Sequence, residues 1–279
     1  GLAVVLAPAA HADNWPSWRG PDGTGLAHEK NLPTRWSTSE NVRWHVALPE
    51  SGNSSPIVWG NRVFVTQPIA KENRRTLMCF DRVDGKLLWQ SGATYEEQEA
   101  THQTNPYCSA SPVTDGERVF AWFGSAGVYC YDFDGHELWH RDLGKQDHIW
   151  GYGSSPILHG DLCILNFGPG KRTFLIALNK STGETTWQID GPKPDPAQSG
   201  PGARPAGDAS KNYEGERTPK GKAETPKKAS DDAEKKTQGG RPQRPGGRPG
   251  FGPGGGMGDF RGSWSTPIIV KVKGKEQIF

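Results

Sequence analysis

The sequence predicts an all-β fold: a β-propeller of four-stranded antiparallel blades, present as an incomplete ring of about three and a half blades. Two observations predict it. A unit of four short apolar runs recurs three times, and each unit closes on a tryptophan four residues after a glycine. No amphipathic run of useful helical length interrupts the units.

The first unit reads Ser55-Pro56-Ile57-Val58, Arg62-Val63-Phe64-Val65, Leu77-Met78-Cys79-Phe80-Asp81 and Gly85-Lys86-Leu87-Leu88-Trp89. A second begins at Ser111-Pro112-Val113 and ends at Gly135-His136-Glu137-Leu138-Trp139, and a third runs from Ser155-Pro156-Ile157 to Gly183-Glu184-Thr185-Thr186-Trp187. A fourth starts at Ser265-Thr266-Pro267-Ile268, and the segment around Trp44 resembles the last strand of a unit. Short runs rich in Val, Ile, Phe and Tyr read as strands. The connections between the first and second runs hold Gly beside Asn or Asp, residues that tolerate the positive φ of tight hairpins. In the connection from Asp81 to Gly85, Asp is placed to bond the turn backbone and Gly to take the left-handed position.

A lone four-stranded sheet cannot bury both faces, and radial stacking of such sheets gives a propeller. Trp89, Trp139 and Trp187 then read as structural docking residues. With Gly85, Gly135 and Gly183 they fill the wedge between blades, mostly buried. Four to eight blades are usual, so about half of the ring is expected to be missing here and blade faces to be exposed.

Five segments follow. Residues 1–12 are apolar and end in Ala10-His11-Ala12, which reads as the remnant of a signal peptide. Residues 13–41 are an opening segment. Residues 42–190 hold a closing strand and three blades. Residues 191–262 contain no Val, Ile, Leu or Trp and 11 of the 23 prolines. Such a stretch has too little apolar surface to offset ordering entropy, so it reads as a disordered Gly/Pro/Lys/Arg-rich insertion. Residues 263–279 start a fourth, truncated blade.

The motif Cys79-x-Asp81-x-x-x-Gly85-Lys86-x-x-Trp89 resembles the tryptophan-docking pattern of the quinoprotein-dehydrogenase-like propellers. The third copy carries Asn179 for Asp, and the second is one residue shorter between Asp132 and Gly135. Trp15-Pro16-Ser17-Trp18-Arg19-Gly20-Pro21 is similar to the start of exported pyrroloquinoline-quinone-like propellers of planctomycete type. The resemblance implies one of two activities. One is quinone-dependent oxidation of alcohols or sugars, with pyrroloquinoline quinone (PQQ) and Ca²⁺. The other is cofactor-free binding, as in the outer-membrane barrel-assembly lipoprotein propeller. The sequence departs from the first kind: it has no adjacent Cys pair and no carboxylate cluster suited to the six to eight oxygens of Ca²⁺. It departs from the second kind too, because no Cys follows Ala12 to carry a lipid.

The reading that results is an extracytoplasmic, periplasmic or secreted, binding or scaffold propeller with no evident catalytic site, metal or cofactor. PQQ and Ca²⁺ enter only under the oxidoreductase alternative. The net charge of +2 gives no pull toward nucleic acid, and no run is long enough to span a bilayer. A protein or polysaccharide partner fits this reading, with the full-length protein a monomer. Candidate ligand-binding residues are those leading into the inner strands: Asn53, Asn105, Tyr107, His148, Trp150, Tyr152, Arg261 and Trp264. Cys79, Cys108, Cys130 and Cys163 allow three disulfide connectivities or free thiols. His102, His140 and His148 share no spacing that marks a catalytic set.

Overall fold

Fourteen strands, β1 to β14, form among the described residues of a computed structural model, 13–30, 32–191 and 262–279. The expected signal remnant, nearly all of the insertion and Arg261 lie outside them. The first sheet takes its strands in chain order: β1 (Ile57–Trp59), β2 (Arg62–Ile69), β3 (Arg74–Asp81) and β4 (Leu87–Thr94). The second is β5 (Val113–Thr114), β6 (Arg118–Trp122), β7 (Val128–Asp132) and β8 (Glu137–Arg141). The third is β9 (Ile157–His159), β10 (Leu162–Phe167), β11 (Phe174–Asn179) and β12 (Thr185–Asp190). A hairpin of β13 (Ile269–Val272) and β14 (Lys275–Ile278) follows. Every pairing is antiparallel and joins chain neighbours. These are propeller blades, and no sheet among the described residues closes on itself.

Alternation along the middle strands sends side chains to both faces, and both faces are covered. In β2, Phe64 joins Ile57, Leu77 and Cys79 against Val119, Ala121 and Tyr131 of the second blade. Val63 and Val65 pack from the other face with Met78 and Phe80 against Trp44. Phe120, Trp122 and Cys130 meet Cys163, Leu165 and Ile176 of the third blade in the same manner.

Each blade carries the same irregularity. Its register slips between Cys79 and Phe80, between Cys130 and Tyr131, and between Ala177 and Leu178. The extra residue, Leu88, Leu138 or Thr186, sits one place before the docking tryptophan. A bulge of this kind re-aims the next side chain. The residue paired with each tryptophan is small: Cys79 with Trp89, Cys130 with Trp139, Ala177 with Trp187.

The re-aimed indoles land on the next blade. Trp89 Nε1 donates to Phe133 O at 2.8 Å, and its ring covers Gly135, where a β-carbon would come within 2.7 Å of it. Trp139 repeats this on Lys180 O at 3.0 Å and on Gly183. Trp44 does so on Arg82 O at 2.9 Å and on Gly85. The turn beneath is set by its acid or amide: Asp81 Oδ1 accepts from Val83 N at 2.7 Å, and Asn179 Oδ1 from Ser181 N at 2.9 Å. Asn serves as well as Asp because the bond needs only the oxygen. Trp89, Trp139 and Trp187 are half-buried rather than fully enclosed, since the outer strands border solvent.

A second linkage rings the inner edge. Ser55 N donates to Ser111 Oγ at 2.8 Å, Ser111 N to Ser155 Oγ at 2.9 Å, and Ser155 N to Thr266 Oγ1 at 2.9 Å. The hydroxyl residue before each proline therefore bonds the preceding blade. The opening segment also pairs here. Trp15 exchanges two 2.8 Å backbone bonds with Val58, and Thr114 N donates to Pro16 O at 2.9 Å.

All four cysteines are free and buried. Burial pushes the Cys79, Cys108 and Cys163 thiols up to about 12, and Cys130 higher still. They are the small apolar residues of the blade interfaces, and thiols so placed are inert. A thiol reagent at pH 8 is expected to label none in the native protein and all four after denaturation. Labelling of a subset without unfolding would contradict this packing.

The docking geometry gives a coupled prediction. Trp89→Ala is expected to cost roughly 3–5 kcal/mol of stability, as for large aromatic deletions. Gly135→Ala, at φ +87° under the ring, is expected to cost at least about 1 kcal/mol. Because the added methyl meets that same ring, the two losses should add to clearly more than the double variant shows. Additive urea midpoints would disprove the contact.

Candidate functional site

Two long connections, residues 95–112 and 142–156, cross the mouth of the blade array and meet the segment 262–268. Their backbone is held by side chains. Asn105 Nδ2 donates to Trp150 O at 2.6 Å and to Tyr152 O at 2.9 Å. Trp264 Nε1 donates to Gly151 O at 3.0 Å. Gly151 N donates to His148 O at 2.8 Å, and Trp150 N to His148 Nδ1 at 3.1 Å. Asn166 Nδ2 holds the returning segment by its Ser263 and Ser265 carbonyls at 3.0 and 3.1 Å.

The result is an aromatic cleft of about 450 Å³ lined by His102, Thr104, Asn105, Trp150, Gly153 and Trp264. Trp150 and Trp264 are 40% and 38% exposed, with stacked rings 6.0 Å apart at 27°. His148 stands edge-on to Trp264 at 4.8 Å, beneath the platform. Burial lowers its pKa, against a smaller opposing pull from Asp147. His102 flanks Trp150 at 6.3 Å; its Nδ1 lies 2.7 Å from Thr104 Oγ1.

The structure thus brings Asn105, His148, Trp150 and Trp264 together. Tyr152 comes to the same loop, but only its backbone takes part: the side chain is buried with its ring 4.7 Å from Trp122. Asn53 spends its amide on Thr104 O at 2.9 Å and so supports the cleft from below. Tyr107 faces inward: its hydroxyl donates to Glu99 O at 2.6 Å, and the buried Arg75 guanidinium lies 3.6 Å from its ring centroid. His140 is on outer strand β8 beside Glu137 at 2.6 Å. Of the four candidate aromatics, Trp150 and Trp264 stand exposed at the cleft, while the Tyr107 and Tyr152 rings turn inward. The connections are long enough to fold back, and half of their aromatic rings seal the blade ends.

Sequence reasoning missed Thr104 and His102 as lining residues, and it missed Glu99. Glu99 is buried, with Oε1 accepting from Ser125 N at 3.0 Å and Ser125 Oγ at 2.6 Å. Burial raises its pKa; the Ser125 bonds and the charges of Arg75 and Lys145 oppose this. A carboxyl raised in the folded state contributes stability that is complete below its ordinary value and is lost as pH climbs through the folded value. Glu99→Gln, fixed in the neutral form, should therefore gain on the wild type as pH rises from about 4.3 toward neutrality. Urea midpoints at pH 4 and pH 7.5 measure it. A wild-type-to-variant gap that does not change with pH would contradict the assignment.

At the opposite mouth, the opening segment and the inner hairpins frame a second hollow of about 390 Å³, with Arg19, Asp115, His159 and Lys180 at its edge. Lys180 Nζ and Asp115 Oδ2 pair across it at 3.3 Å. No three His, Cys, Asp or Glu side chains among the described residues converge to hold a metal. No helix among them is long and apolar enough to cross a membrane.

A family profile described as outer membrane protein assembly factor BamB matches residues 31–150 and 73–213. No curated protein matches the chain in sequence. Among solved structures, a europium-containing methanol dehydrogenase is 15% identical with a TM-score of 0.51, over 67% of this chain and 33% of that one. Quinohemoprotein alcohol dehydrogenase from Comamonas testosteroni is 18% identical with a TM-score of 0.48, over 72% and 30%. BamB from Moraxella catarrhalis is 17% identical with a TM-score of 0.34, over 53% and 54%. The first likeness shows the propeller fold, and the chain spans a third of that dehydrogenase's length.

The lining of this cleft does not fit a quinone held with Ca²⁺. The cleft lining offers two ring faces but no carboxylate for the ion and no cation for the quinone's own acid groups.

Proposed function

The chain belongs to the family of the outer membrane protein assembly factor BamB, and on that premise we propose that it is an extracytoplasmic binding or scaffold propeller whose recognition site is the cleft between Trp150 and Trp264. One observation carries this reading. The Asn105 amide nitrogen and the Trp264 ring N–H are spent on holding loop 150–152 in place, which leaves a pair of rigid, exposed indole faces beside His102 and Thr104. A site of that build binds by stacking and shape.

The rival reading is a PQQ-dependent alcohol or sugar dehydrogenase, and it shares the fold. Purified protein mixed with PQQ and Ca²⁺ is expected to give no dye-linked oxidation of primary alcohols or aldoses. Turnover that disappears in Trp150→Ala would overturn the binding reading and assign the cleft to the cofactor.

A further inference from the structure

Five backbone groups of the loop that carries Trp150 are already engaged. Trp150 N and Gly151 N donate to His148, and the carbonyls of residues 150, 151 and 152 accept from Asn105 and Trp264. A peptide that docks by joining a strand or loop edge needs such groups free. At this cleft it finds them taken. The ligand must be gripped by side chains alone.

Those side chains have a definite character. None of the six lining residues is an Asp, Glu, Lys or Arg. Two exposed indoles, their rings inclined by 27° with centroids 6.0 Å apart, supply the apolar faces of the lining. Around them stand the Thr104 hydroxyl, the Nε2 edge of His102 and the Oδ1 of Asn105, whose amide nitrogen is committed elsewhere. His102 Nδ1 accepts from Thr104 N and lies 2.7 Å from the Thr104 hydroxyl, which leaves Nε2 to donate, the hydroxyl oxygen to accept and the Asn105 amide oxygen to accept. A ligand that matches this set has a flat apolar face, no net charge, and hydroxyls at its rim. A pyranose ring has all three: its axial C–H bonds make an apolar face, and its equatorial hydroxyls point outward in the ring plane.

Resting on the recognition reading above, we infer that the cleft binds a neutral glycan. One pyranose lies against the Trp150 and Trp264 faces, with its hydroxyls met by Thr104, His102 and Asn105. The volume of about 450 Å³ is in the range of small-molecule sites. His102 and Thr104 are exposed at its rim, so a polymer can continue outward from the bound ring. Anionic polymers have no counter-charge in the lining.

Affinity electrophoresis in native gels tests the inference with the full chain. The gels contain laminarin, xyloglucan or dextrin as neutral glycans, alginate as the polyanion, and polyproline as the peptide. One neutral glycan is expected to retard the protein, with apparent affinity falling about tenfold or more in Trp150→Ala and in Trp264→Ala. Leu138→Ala, an exposed outer-strand change, should leave retardation intact, and thermal melting should confirm that all variants are folded. Retardation by alginate alone, or equal retardation of wild type and both indole variants by the glycan, overturns the inference. Polyproline binding that is lost in the indole variants, with no neutral glycan binding, also overturns it but leaves the recognition reading standing. Quinone-dependent turnover removes both.

Discussion

The contact on which the rest of the structure depends is the indole laid over the glycine of the next blade. Trp44 covers Gly85, Trp89 covers Gly135 and Trp139 covers Gly183, each with a ring N–H bonded into the same turn. Several features of the blade follow from it. The turn residue must be glycine, because a β-carbon would occupy the ring's place and the backbone φ is positive. In the three blades a bulge stands one place before the tryptophan and re-aims its ring. The cross-strand partner must be small so that the ring can tilt, which explains why Cys79 and Cys130 alternate with Ala177. The cysteines thus have a packing role, and no redox argument is required for them.

The tryptophans fix the outer edge of the array, and a hydroxyl ladder fixes the inner edge. Ser55, Ser111, Ser155 and Thr266 stand in one row, each later hydroxyl accepting the backbone N–H of the residue before it. Between two such fixed rims, the connections at the mouth are free to vary without loosening the blades. This is the usual division of labour between scaffold and loop. It explains why Asn105, Trp150 and Trp264, which come from three connections, can be held to one geometry.

The blades were legible in the sequence because everything that marks them is local: strand length, turn residues and the four-residue step from glycine to tryptophan. Their partners were less so. Ser111 recurs before proline and reads as a strand-leading residue, but its acceptance of Ser55 N depends on two blades being side by side. The opening segment carries a recognisable run, Trp15 to Pro21, yet nothing in it announces that Trp15 will pair with Val58. The candidate site shows the same division. Trp150 and Trp264 were legible as residues that lead into inner strands. Tyr107 and Tyr152 occupy equivalent places in sequence, yet their rings are spent on Arg75 and Trp122. Which aromatic of a long connection turns inward is decided by the hollow beneath it, and no spacing encodes that.

The same distinction bears on what the cleft can do. Catalytic groups are useful when they are preorganised and yet uncommitted, ready to exchange a proton or meet a developing charge. At this mouth the polar groups that hold loop 150–152 are preorganised and committed. Asn105 bridges two carbonyls, His148 accepts one N–H beneath the platform, and Trp264 donates to the loop it stacks beside. Each of these bonds stiffens Trp150 and Trp264 and thereby lowers the ordering cost of binding against them. Rigidity of this kind favours selecting a flat ligand. Glu99, buried and bonded to Ser125, lies behind the Tyr107 and Tyr152 rings, where it braces the connection and does not line the cleft. On the proposed reading, the mouth of the propeller is a surface for holding.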